Sequence, residues 1–274
     1  MLDYIDFLGL DEDLKVKTLN TADKNKNKIV SLAEKYAKGD NKCLVNQNDL
    51  TRLAVVIEAL KFTKEQYDAL GIDEKIFFDT ASDIAIWCEN NKNRGLKNYN
   101  WLRNHIRCEL FRIGRLQFQL YKCNNPTLKY SRLPFNYGEN LIYVHIPQGE
   151  KLLLDDCIKS LIDAKAFFEK YFPSYSFNYF FCESWLLFGG NKNFMRADSN
   201  IIKFSQLFDV AYSLDIDAQA IERIFGKRHL IKSKYPENTT LQSSAKKYIM
   251  TGGKLGIGVG TINKNKITDC SGNN

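Results

Sequence analysis

Apolar positions in the first hundred residues recur at helical intervals. Leu50, Leu53, Ala54, Ile57 and Leu60 form one stripe from position 49 onward, the signature of an amphipathic helix. Shorter periodic stretches predict helices over 3–10, 29–38 and 82–90, the last carrying Ile84, Ile86 and Trp87. Thr63 precedes Lys-Glu-Gln-Tyr67 and reads as the N-cap of one more helix. The polar run Asn91-Lys-Asn-Arg-Gly95 is a loop, and a domain break is placed between residues 97 and 98.

Beyond that break the period changes. Trp101, Ile106, Leu110 and Phe111 keep helical spacing, whereas Leu116, Phe118 and Leu120 alternate with Gln117, Gln119 and Tyr121 as in a half-buried strand, so the handover is expected near Gly114. Strands are predicted over 141–146, 177–187, 210–214 and 255–262, and helices over 153–171, 200–208, 217–225 and 240–250. Pro173 closes the first of these helices. Strands alternating with helices indicate β-α-β connections. The expected fold is therefore α+β: a helical N-terminal domain (1–97) on a mixed-sheet domain with flanking helices (98–274).

Charge and composition narrow the function classes. The chain has 39 basic and 32 acidic residues, a net charge of +7, spread through lysine-rich loops and not gathered into one block. That distribution argues against nucleic acid as a partner but suits an acidic or phosphorylated one. No apolar run approaches a membrane span and the start is acidic, so the expectation is a soluble cytoplasmic protein with no membrane partner. Seven cysteines without a C-x-x-C pair argue against a disulfide framework and a four-cysteine zinc site. Asp23, Asn25, Asn27, Ser31 and Glu34 fall on the positions of a calcium loop, but Lys28 replaces its glycine and lysines interleave the ligands. A capped helix start is the expected structure there, and no metal is expected anywhere.

The densest polar cluster in an apolar setting runs from Trp101 to Gln119, with four arginines, His105 and two glutamines. This stretch, WLRNH…LFRIGRLQF, resembles a bacterial family of two-domain acyltransferases with a helical N-terminal part and a GNAT-like C-terminal domain. His145-Ile-Pro-Gln-Gly149, Cys182-Glu-Ser-Trp-Leu-Leu187, Ser199-Asn-Ile-Ile-Lys-Phe204 and Asn238-Thr-Thr-Leu-Gln242 look like its remaining signatures, in the same order. The resemblance spans about residues 50–262 and implies acyl transfer from a thioester.

His145 and Cys182 fall near the ends of two strands joined by a helix, an arrangement that makes parallel neighbours. A cysteine held as thiolate beside a histidine attacks a thioester and forms an acyl-enzyme; the alternative is a buried core thiol and a strand-end histidine. Glu183 points away from Cys182 on a regular strand and becomes a base beside it only if a bulge re-aims it. Asn200 is an oxyanion donor candidate, with Ser199 as the N-cap before it. Arg112, Arg115 and Gln117 are candidates for binding the donor's phosphates, the arginines alternatively tying the two domains together through buried carboxylates.

The GNAT resemblance also implies a Q/R-x-x-G-x-G/A loop for pyrophosphate, and no clear copy exists. Phe188-Gly-Gly-Asn191 and the glycines from Gly252 to Gly260 are the nearest stretches, and both read more simply as turns or close backbone approach. The donor is therefore either acyl-CoA or the phosphopantetheine arm of an acidic acyl carrier protein. The acceptor is an amine or hydroxyl of a small molecule or peptide. Two mechanisms stand, direct attack with His145 or Glu183 as base, or transfer through acyl-Cys182. The competing function class is a non-catalytic module of the same fold that recognises a carrier protein or peptide.

Overall fold

The computed structural model describes residues 2–267, so Cys270 lies outside the described residues. The chain divides into two compact units: Met1–Leu120 with Ile146–Gln148 and Phe167–Pro173, and Tyr121–His145 with Gly149–Ala166 and Ser174–Asn274. The fold is α+β.

The first unit is built round one long helix. Among the described residues six α-helices precede the first strand: α1 (Glu12–Lys24), α2 (Lys26–Ala37), α3 (Asp49–Leu70), α4 (Glu74–Ala81), α5 (Asp83–Asn90) and α6 (Tyr99–Ile106). Asn48 caps α3 by accepting from the Thr51 amide at 2.8 Å, and Gly71, at φ 68°, ends it. The sequence stripe becomes burial on nearly all sides: Val55, Val56 and Glu58 are buried with Leu53, Ala54, Ile57 and Leu60, because α1, α2 and α6 all pack on α3. Glu58 is tolerated inside by accepting from Lys61 at 2.8 Å and from the Leu2 amide at 3.0 Å.

Thr63 does not start a helix. It sits within α3, and its hydroxyl donates to the Ile106 carbonyl at 2.9 Å. Helices α1 and α4 carry no clean stripe in the sequence and were not expected. The would-be calcium loop is helical, with Asp23 inside α1 and Lys26 onward in α2, so its carboxylates and amides do not encircle an ion.

The change from helix to strand also comes earlier than the periodicity suggests. Helix α6 ends at Ile106, and Leu110 and Phe111 already belong to β1 (Leu110–Ile113). Cys108 makes the break, at φ 53°. Gly114 instead sits in the two-residue turn between β1 and β2 (Leu116–Lys122), where Ile113 pairs with Leu116 and Arg112 with Gln117.

The second unit holds β3 (Asn140–His145), β4 (Tyr179–Ser184), β5 (Asp209–Leu214) and β6 (Ile257–Asn263), ordered β3-β4-β6-β5. β3 and β4 are parallel, with Tyr143 opposite Phe181, as the crossover through α7 (Leu154–Tyr171) requires. β6 runs antiparallel to both β4 and β5. The predicted strand over 177–187 is shorter, because the chain leaves β4 at Ser184 in a 3-10 turn, Trp185–Leu187. That turn presses on β6: a Cβ on Gly258 would lie 2.1 Å from the Leu187 carbonyl oxygen. The glycine-rich end of the chain is thus a strand shaped for close approach. Helices α8 (Asn200–Ser205), α9 (Ala218–Phe225) and α10 (Thr240–Met250) complete the unit.

Candidate active site

Strand alternation decides which side chains can cooperate. Leu141, Tyr143 and His145 share one face of β3, and the pairing of Tyr143 with Phe181 places Tyr179, Phe181 and Glu183 on the same face of β4. The His145 ring stacks on Tyr143, centroids 4.2 Å apart and planes 25° apart. Tyr143 meets Phe181 edge-on at 4.9 Å and Tyr121 at 5.3 Å, and its hydroxyl approaches the Glu183 carbonyl oxygen at 3.5 Å. Below this layer Phe181 packs with Leu141, Phe135, Tyr212 and Val259.

Glu183 needs no bulge to reach this face. β4 is regular through it, with Glu183 opposite Val259, and the one register shift is on β5 between Val210 and Tyr212. Burial alone raises its carboxyl above the ordinary value, with no cation opposing the shift. Burial also pushes the Tyr143 hydroxyl well up, and Tyr121 to about 12, so these rings are neutral at physiological pH. The result is a half-buried carboxyl and an imidazole on an aromatic floor, a setting that makes a carboxylate more basic.

Cys182 is on the other face. It is 0% exposed and lies opposite Gly260, and burial, reinforced by Glu183, pushes its thiol far above the normal range. The expected meeting of His145 and Cys182 is corrected by this geometry: adjacent parallel strands bring residues of like parity together, and these two have opposite parity.

Asn200 is the first residue of α8, and Ser199 is its N-cap, accepting from the Ile202 amide at 3.4 Å. The Phe188–Asn191 stretch is a turn tied to its surroundings, with Asn191 donating to the Trp185 carbonyl at 2.8 Å and the Gly189 amide to Ser213 Oγ at 3.2 Å.

The three donor-binding candidates belong to the first unit. Arg115 is buried and donates to the Pro147 carbonyl at 3.1 Å. Arg112 is partly exposed, and its backbone amide donates to Thr80 Oγ1 at 2.9 Å. Gln117 is buried, and its Nε2 has no partner among the described residues. Trp101 and His105, from the same polar stretch, meet a buried carboxylate. Asp83 Oδ2 accepts from Trp87 Nε1 at 3.0 Å and Trp101 Nε1 at 2.9 Å, and lies 3.1 Å from His105 Nε2, whose ring N–H is poorly aimed at it. Burial would raise the Asp83 carboxyl, but His105 and the two indoles outweigh it and hold it below the ordinary value. Among the described residues no three His, Cys, Asp or Glu are grouped to hold a metal ion.

Asp83 and Tyr143 escaped the sequence reading. The i, i+2 spacing of Leu141, Tyr143 and His145 was the available signal for the second; nothing local announces the first.

This architecture is that of an acyltransferase fold. Residues 11–108 match the N-acyltransferase N-terminal domain family and residues 110–262 the GNAT-like C-terminal domain family. The chain belongs to this two-domain N-acyltransferase family and is an enzyme of that class, which sets aside the non-catalytic reading. No curated protein matches the chain. Among solved structures it is similar to an acyltransferase in complex with decanoyl-CoA and teicoplanin, at 18% identity and TM-score 0.77, covering 95% of this chain and 86% of that one. A structure of an acyltransferase with decanoyl-CoA is similar at 20% identity, TM-score 0.77 and the same coverage. A mutant acyltransferase with octanoyl-CoA gives 18% and 0.78, again at that coverage.

Proposed function

We propose that this enzyme transfers an acyl group from acyl-CoA directly to an amine of a small molecule or peptide, on the aromatic face of the second unit. The acceptor nitrogen attacks the thioester carbonyl, Glu183 or His145 takes the ammonium proton, and the C–S bond breaks, the departing thiolate taking a proton back from that base to leave as the CoA thiol. The observation that carries this reading is the shared face of His145, Tyr143 and Glu183, with Cys182 sealed on the opposite one.

Acyl-CoA as donor is supported by the complexes of the similar structures with decanoyl-CoA and octanoyl-CoA. Teicoplanin in one of them supports an elaborate acceptor over a simple amine. Gln117, with its unpartnered Nε2, and Arg112 are kept as candidates for binding the donor, since an amide donor suits a carbonyl or phosphate oxygen and a guanidinium suits phosphate. Asn200 is kept as an oxyanion donor candidate.

The test is intact-protein mass spectrometry with a panel of acyl-CoA and acyl carrier protein thioesters, with and without amine. Thiol release that requires amine, with no mass added to the protein, supports direct transfer. An acyl mass that disappears in Cys182→Ala would overturn it, and turnover with carrier thioesters alone would reassign the donor.

A further inference from the structure

The loop between α9 and α10 presents an unusual surface. Residues 227–234 read Lys-Arg-His-Leu-Ile-Lys-Ser-Lys, four fixed positive charges with no acid before Glu237. Leu230 at its tip is 100% exposed and Ile231 is about half exposed. The base of the loop is held in place. Tyr235 packs on Phe225 at 4.3 Å and on His229 at 5.3 Å, Arg228 donates to Asp217 Oδ2 at 3.0 Å, and Lys232 donates to the Ile249 carbonyl at 3.0 Å. Ile216 and Met250, the chain neighbours of the anchors Asp217 and Ile249, are each about half exposed. Two nearby carboxylates are already engaged, Asp215 with Lys254 and Asp217 with Arg228.

We propose that this loop is a contact with an anionic lipid surface, Leu230 and Ile231 entering the headgroup layer while Lys227 and Lys234 meet lipid phosphates. Charge complementarity favours such a surface, since each basic side chain near an anionic leaflet adds attraction and the aliphatic pair adds burial that lysines alone lack. A protruding aliphatic tip between flexible lysines suits a deformable lipid layer better than the fitted face a protein partner needs. Among the described residues no helix is long and apolar enough to cross a membrane, and the expectation of no membrane partner rested on the lack of such a span; attachment at the surface asks for none.

The test is vesicle co-sedimentation of the full chain with phosphatidylcholine alone and with phosphatidylcholine containing about a third phosphatidylglycerol. Binding is expected only with the anionic lipid, falling as salt is raised. Leu230→Ser with Ile231→Ser should weaken it about tenfold or more, and Lys227→Glu with Lys234→Glu should abolish it. Both variants should keep the parent's melting temperature and its CoA-thiol release in lipid-free solution. No binding to anionic vesicles, or equal binding by parent and variants, would overturn the proposal, as would a loop-dependent acidic protein partner found in its place. The loss of binding is read without any turnover, so it stands or falls separately from the acyl-transfer mechanism.

Discussion

Tyr143 carries His145 on its ring, the two centroids 4.2 Å apart, while its hydroxyl reaches the backbone of Glu183 on the next strand. One ring therefore supports His145 and touches the strand that carries Glu183. Tyr143→Phe keeps the ring and should leave turnover within about threefold, since a 3.5 Å contact is a weak hydrogen bond. Tyr143→Ala removes the support and should lower kcat by about a hundredfold, the scale of a small misplacement of catalytic groups. Steady-state kinetics below the melting temperature separate the two. Equal losses in both variants would assign the role to the hydroxyl.

Burial raises the Glu183 carboxyl, so its basic form is lost as pH falls through that raised value. The rate should show an acid limb above the usual carboxylate range. Glu183→Gln should remove the limb and lower kcat by about 10²–10⁴-fold, the usual scale for a general base. Stability should move the other way. A raised acid favours folding below its unfolded value, and that contribution is lost as pH rises through the folded value. The glutamine variant should therefore melt at or above the parent's temperature at pH 7.

Cys182 is packed opposite Gly260 with its thiol pushed up, so Cys182→Ala should leave the pH–rate profile unchanged and cost about 1–2 kcal/mol from the small cavity. Denaturant melts and rate profiles check both halves. A selective loss of turnover with an intact fold would restore the covalent route.

Asp83 is held low by His105, Trp101 and Trp87 against the opposing effect of burial. A depressed carboxyl stabilises above its unfolded value, and that stability is lost as pH falls through the folded one. Thermal melts should lose stability in that acid window, and Asp83→Asn should abolish the dependence while costing about 3 kcal/mol or more at neutral pH by breaking a buried charged cluster.

Gly258→Ala should destabilise the second unit severely, because its Cβ would stand 2.1 Å from the Leu187 carbonyl oxygen and backbone cannot yield as a side chain can. Gly252→Ala, with nothing within 4 Å of its Cβ but φ 94°, should cost only the backbone strain, about 1–2 kcal/mol. Equal effects at the two positions would refute the packing account.

The sequence alone determined the helical first part, the β-α-β alternation of the second, and the α3 stripe, since each rests on a period that neighbouring residues enforce locally. It also marked Glu183, His145 and Cys182 as chemistry-bearing. Only the tertiary structure decided their partnership. Which residues face one another depends on strand register, and a one-residue difference in parity separates Cys182 from His145 while joining His145 to Glu183's face. The same holds for His105 and Asp83, 22 positions apart in sequence, which meet only because α5 and α6 bring them within 3.1 Å. Helices α1 and α4 were illegible because their buried stripes are thin: Leu14, Thr18 and Ala22 in one and Phe77, Thr80 and Ala81 in the other each set one large apolar residue beside small or polar ones.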